Sequence, residues 1–79
     1  MTPLIKEVKI KENYCIEILY EKNEKRLFNF EPYLTKGRLN ELRNLELFSK
    51  VKISFDTLEW ENGIDIDPDT LYRESIKLN

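Results

Sequence analysis

The stretch from Trp60 to Tyr72, W-E-N-G-I-D-I-D-P-D-T-L-Y, constrains the fold more than any other part of the chain. It holds the only tryptophan and one of the two glycines. Leu58 and Trp60 alternate with Thr57, Glu59 and Glu61, the period of a strand with one buried face. Asn62-Gly63 breaks that strand. Both residues adopt positive φ at little cost, so a tight turn is expected there. Ile64 and Ile66 then alternate with Asp65 and Asp67 in a short extended piece. Asp67-Pro68 reads as a helix start, because Asp accepts hydrogen bonds from free backbone N–H groups and Pro suits the first helical position. Asp69 adds negative charge at the positive end of the helix dipole. Leu71, Tyr72 and Ile76 are expected on one face of the helix that follows.

The chain before this stretch is rich in strands. Val8 and Ile10 alternate with Glu7, Lys9 and Lys11 in a first strand whose lysines suit a sheet edge. Lys11-Glu12-Asn13 is a polar turn. Tyr14, Ile16, Ile18 and Tyr20 point one way in a second strand, with Cys15, Glu17 and Leu19 opposite. Arg26, Phe28 and Phe30 alternate with Leu27 and Asn29 in a third. Directly paired positions share a face, so an odd loop keeps Tyr20 and Phe28 together. A three-residue loop, Glu21-Lys22-Asn23, with Asn23 left-handed, meets that condition. Pro32 to Leu34 suits one helical turn before Gly37 interrupts it. Leu39, Leu42, Leu45 and Phe48 recur every three residues, which predicts one or two short helical pieces with a shared apolar face. Val51, Ile53 and Phe55 predict another strand, and a two-residue link at Asp56-Thr57 would set Ile53 beside Trp60.

At 79 residues the chain is expected to be one domain, residues 1–79, with a modest core. Cys15 is the only cysteine, so no internal disulfide can form and a reducing compartment is the simplest setting. No apolar run approaches a membrane span, and the first residues lack the apolar core of a signal peptide, so a cytoplasmic protein is expected. Net charge is −2 but unevenly spread: residues 1–55 carry 11 Lys/Arg against 8 Asp/Glu, a balance of +3, and residues 56–79 carry 2 against 7, a balance of −5. Such asymmetry can steer a partner or simply solvate a small surface.

Several chemistries lack their residues. The chain has no histidine, which removes His-based triads and the usual neutral-pH general base. Two distant glycines cannot cradle a phosphate, and one cysteine cannot build a zinc site. No cofactor and no catalytic or metal-ligating residues are expected, and the chain is not expected to be an enzyme. Asp65, Asp67 and Asp69 alternate like the ligands of a calcium loop, yet Thr70 stands where that loop needs Gly and Ile76 where it needs Glu. Helix capping accounts for Asp67 and Asp69, but not for Asp65. Trp60 suits either a core position with its indole N–H satisfied or an anchor in a partner interface. Lys36, Arg38, Arg43, Lys50 and Lys52 cluster in the middle, and on one shared face they would contact a phosphate backbone. The acidic total and the lack of a helix-turn-helix pattern argue against autonomous DNA recognition.

The pattern W-x-N-G-x-D-x-x-P-x-x-L-Y, formed by Trp60, Asn62, Gly63, Asp65, Pro68, Leu71 and Tyr72, resembles a bacterial family known as domain-of-unknown-function 2442. The resemblance extends backwards over Phe48-Ser49-Lys50-Val51, Leu42, Pro32-Tyr33-Leu34 with Gly37, and the aromatic strand-turn-strand from Tyr20 to Phe28. Glu61 departs from it, where the family usually has Pro, and the link Asp56-Thr57 is shorter than in many relatives. The resemblance implies a protein-binding module of the type II antitoxin kind, encoded beside a small partner, and some family domains are fused to a helix-turn-helix domain. The contact surface would then be Trp60, Asn62, Asp65 and Asp67, with the acidic last third facing a basic, RNA-acting toxin. The alternative is a nucleic-acid-associated regulator using Lys36, Arg38, Arg43 and Lys50. An exposed edge strand leaves a homodimer open. The expected fold is α+β: a mainly antiparallel sheet of about five strands, packed against short middle helices and a C-terminal helix.

Overall fold

Alternating apolar residues bring the first third of the chain together. The computed structural model describes residues 2–79. Strands β1 (Ile5–Ile10), β2 (Cys15–Tyr20) and β3 (Glu24–Asn29) form an antiparallel meander. Pairing sets Ile16 opposite both Ile10 and Phe28, and Ile18 opposite both Val8 and Arg26. Ile16, Ile18, Tyr20 and Phe28 thereby share the buried face. A register shift between Ile5 and Glu7 lets Ile5 reach that face as well, although it differs in parity from Val8. The predicted three-residue loop is present, since Tyr20 pairs with Glu24. Lys22 joins Asn23 in the left-handed region, with φ of 66° and 59°. At the first turn Asn13 and Tyr14 both have positive φ, so β2 begins at Cys15 rather than at Tyr14.

Phe30 closes β3 and enters the core, and Glu31–Tyr33 makes the expected single turn with Pro32 at its start. The leucine-rich middle divides into a 3-10 helix, Gly37–Arg43, and helix α1 (Leu45–Phe48). Leu42 and Phe48 are fully buried and Leu39 partly so, but Leu45 is 59% exposed. Asn44 explains the difference. It leaves helical geometry at φ −67°, ψ 109° and caps α1, its Oδ1 accepting from the N–H groups of Glu46 and Leu47 at 3.0 and 3.3 Å. Rotation restarts there, so the three-residue spacing does not continue onto one face.

Strands β4 (Lys52–Ser54) and β5 (Thr57–Glu59) form a separate hairpin. Its turn lies at Phe55-Asp56, one residue earlier than expected, and pairs Ile53 with Leu58 instead of placing it beside Trp60. Phe55 is therefore not a strand residue facing the core. It sits at φ 58° and is 81% exposed. Tertiary bonds hold this turn: the Ile5 N–H donates to the Phe55 carbonyl at 3.1 Å, and Thr2 Oγ1 donates to Asp56 Oδ2 at 2.8 Å.

Helix α2 (Pro68–Glu74) starts at Asp67 and Pro68 as expected and buries Leu71. It stops at Ser75, which is extended. Ile76 accordingly leaves the helix face assigned to it and forms β6 (Ile76–Lys77), pairing with Leu27 of β3 while 67% exposed. Among the described residues, the strands thus divide into a four-stranded antiparallel sheet of order β1-β2-β3-β6 and the β4-β5 hairpin, where one sheet of about five was expected. The first strand is at an edge, and the architecture is α+β.

Candidate functional site

After β5 the chain makes a second reversal over Glu61-Asn62-Gly63. The Trp60 N–H donates to the Ile64 carbonyl at 2.8 Å, and the Gly63 N–H to the Trp60 carbonyl at 3.0 Å. Gly63 has φ 87°, which a side chain would strain. The returning strand stays paired: Glu59 bridges Asp65, and the Ile66 N–H donates to the Leu58 carbonyl at 3.2 Å. Asp67 then ends the segment as a helix cap, its Oδ2 accepting from the Thr70 N–H at 3.0 Å and the Thr70 hydroxyl at 3.1 Å. Turn chemistry and capping thus fix the side chains of Asn62 and Asp67.

Trp60 does not belong to a contact surface. Its residue is 2% exposed, its ring stacks on Phe48 at 5.8 Å and packs on Phe30 at 5.4 Å, and its indole N–H donates to the Phe48 carbonyl at 2.9 Å. A partner could not reach it without opening the core. Asn62 is half-buried and held from both sides. Its amide donates to Glu41 Oε1 at 2.9 Å, its side-chain oxygen accepts from the Ile64 N–H at 3.2 Å, and its backbone carbonyl accepts from Arg38 at 2.7 Å. Arg38 also pairs with Glu41 at 3.3 Å, which closes a ring of contacts. The Asn62 amide, and after it Arg38, hold the Glu41 carboxyl below the usual glutamate range.

Asp65 and Asp67 are both exposed and come together at one cleft. Its volume is about 180 Å³, and its walls are Phe28, Phe30, Tyr33, Leu39, Ile66 and Thr70 together with the two aspartates. Phe28 and Tyr33 stack at 5.6 Å. Four separate segments build this cleft: β3 and its end, the turn after it, the 3-10 helix, and the approach to α2 with its first turn. The profile of a family described as "Protein of unknown function (DUF2442)" matches residues 5–77. The chain belongs to the DUF2442 family. No curated protein and no solved structure matches it significantly.

The four basic residues read as nucleic-acid contacts play different parts in this DUF2442 chain. Arg38 is engaged in the Asn62 ring, and the Lys36 ammonium sits 5.2 Å from the Tyr33 ring centroid. Arg43, at the end of the 3-10 helix, offers its backbone carbonyl to the Tyr14 hydroxyl, and Lys50 is exposed just after α1. Among the described residues, no group of three or more His, Cys, Asp or Glu side chains is placed to hold a metal ion, and no helix is long and apolar enough to cross a membrane.

Sequence reasoning missed a second polar cluster, where α2 and β6 meet β3. The Arg26 guanidinium donates to Glu24 at 2.6 Å, to the Ser75 hydroxyl at 2.6 Å and to the Ser75 carbonyl at 3.0 Å. It also lies 4.3 Å from the centroid of the Tyr72 ring. The Tyr72 hydroxyl donates to Glu24 at 2.8 Å, and this bond, before the one from Arg26, lowers the Glu24 pKa. Beside them Tyr20 packs edge-on to Tyr72 at 5.0 Å, and burial pushes its phenol pKa upward. Among the described residues its hydroxyl has no hydrogen-bond partner. One signal was available: Arg26 shares the core-facing parity of Phe28, and a charge at such a position needs a partner.

Proposed function

We propose that this chain is a non-catalytic protein-binding module that engages and neutralises a small basic partner protein, in the manner of a type II antitoxin. One observation carries the reading. Glu59, Glu61, Asp65, Asp67 and Asp69 are all exposed within eleven residues, and among the described residues none is in an ion pair. They stand on a hydrogen-bonded hairpin and a capped helix start, so the backbone that carries them is ordered before any partner arrives. Preformed negative charge steers a basic protein and lowers the ordering cost of binding it. The middle basic residues favour the alternative regulator less, because Arg38 already serves the Asn62 turn.

The test is affinity capture of the tagged chain from its native host, with mass spectrometry of what co-elutes, and co-expression with the product of the neighbouring small gene. The expected result is a small basic protein in stoichiometric amount, whose toxicity to growth the chain relieves. Recovery of nucleic acid in place of a protein, or of no stoichiometric protein at all, would overturn the reading.

A further inference from the structure

Asp65 is the residue that local structure leaves without a task. It caps no helix, and among the described residues its carboxylate makes no ion pair and no hydrogen bond, although its backbone holds the hairpin. What lies beside that carboxylate decides its use. The cleft that Asp65 lines has Phe28, Phe30 and Tyr33 in its walls, aliphatic residues Leu39 and Ile66, and a second acidic residue, Asp67. Among the described residues no lysine or arginine lines it. At about 180 Å³ it has room for roughly six waters' share of liquid. That is the scale of one long side chain, and well below the roughly 300 Å³ at which pockets for larger ligands begin.

The same protein displays this chemistry nearby. The neighbouring cleft, lined among others by Phe28, Tyr33, Lys36 and Glu74, uses the same aromatic pair. There the chain's own Lys36 ammonium lies over the Tyr33 ring, with Glu74 bonded to the Tyr33 hydroxyl. An aromatic face, an apolar channel for a methylene stem and carboxylates at the mouth together recognise a cationic side chain.

We propose that the cleft bounded by Tyr33, Asp65 and Asp67 is the specificity pocket of the module, and that it takes a lysine or arginine side chain of the basic partner. The proposal rests on the protein-binding reading above and names the partner chemistry that reading requires. The methylene stem lies against Leu39 and Ile66, the charged head meets Asp65 and Asp67, and the Phe30 and Tyr33 rings wall the channel.

The isotope-labelled full chain is titrated with N-acetyl-lysine methylamide and N-acetyl-arginine methylamide, with N-acetyl-norleucine methylamide as the uncharged control. The same titrations follow on Asp65→Asn and Tyr33→Leu, with circular dichroism and melting curves to establish that each variant folds. Asp65 is exposed, so Asp65→Asn carries the test by itself if Tyr33→Leu unfolds. The expected result is saturable shifts of the Asp65, Ile66 and Thr70 amide signals with the cationic amides only, weakened roughly threefold in Asp65→Asn. Linear shifts, equal shifts with norleucine, or binding unchanged in Asp65→Asn would overturn the pocket. A captured partner that binds Asp65→Asn as tightly as wild type would overturn it too, while leaving the module reading intact. Saturable cation binding with no protein ever recovered would support the pocket and count against the module.

Discussion

Tyr20 and Trp60 are two large buried side chains with opposite polar outcomes. Trp60 satisfies its N–H on the Phe48 carbonyl, whereas the Tyr20 hydroxyl has no partner among the described residues. Trp60→Phe removes a donor and orphans a buried carbonyl, so a loss of about 2 kcal/mol in urea unfolding is expected. Tyr20→Phe removes an unsatisfied hydroxyl and should raise stability by about 1 kcal/mol in the same assay. Its pH dependence has a definite sign. Burial raises the folded-state phenol pKa above the ordinary value of about 10, so wild-type stability is intact below that pH and falls as pH rises past it. Tyr20→Phe should therefore also show a shallower alkaline decline.

Local chemistry dominates in some elements and distant contacts in others, and this separates what the sequence announces from what it conceals. The Asn62-Gly63 turn, the Asp67-Pro68 helix start and the odd loop after Tyr20 follow from backbone preference and parity alone. Phe55, Leu45 and Ile76 do not. Phe55 is turned out because Thr2 and Ile5 grip the hairpin end, Leu45 because Asn44 restarts the helix, and Ile76 because Arg26 holds Ser75 in an extended conformation. The candidate site divides the same way. Asp65 and Asp67 stand out as an alternating acidic pair around Ile66, but the aromatic walls of their cleft and Leu39 come from residues 28–39, which nothing in the local pattern links to them. A left-handed phenylalanine is strained, so Phe55→Asn should gain about 0.5 kcal/mol. Gly63→Ala should lose about 1 kcal/mol, because its φ of 87° disfavours a Cβ even though, among the described residues, none beyond its chain neighbours comes within 4 Å of one. Chemical denaturation midpoints measure both.

For the molecule as a whole, the Glu24-Arg26-Tyr72-Ser75 cluster binds the C-terminal segment to the meander. The Tyr72 hydroxyl and Arg26 depress the Glu24 pKa, so the stabilisation is present above the ordinary glutamate range, near pH 4.3, and is lost as pH falls through the lowered folded-state value. Thermal melts of the wild type should decline on acidification through that window. Glu24→Gln should be less stable than wild type at neutral pH and show a flatter acid limb.

Phe30 touches the Trp60 ring and also lines the cleft with Asp65 and Asp67. The only indole of the protein is therefore one ring away from the proposed pocket. Its fluorescence is a built-in optical gauge: a side chain entering the cleft should alter the emission of a fluorophore that it never contacts, and the unlabelled protein can report its own occupancy.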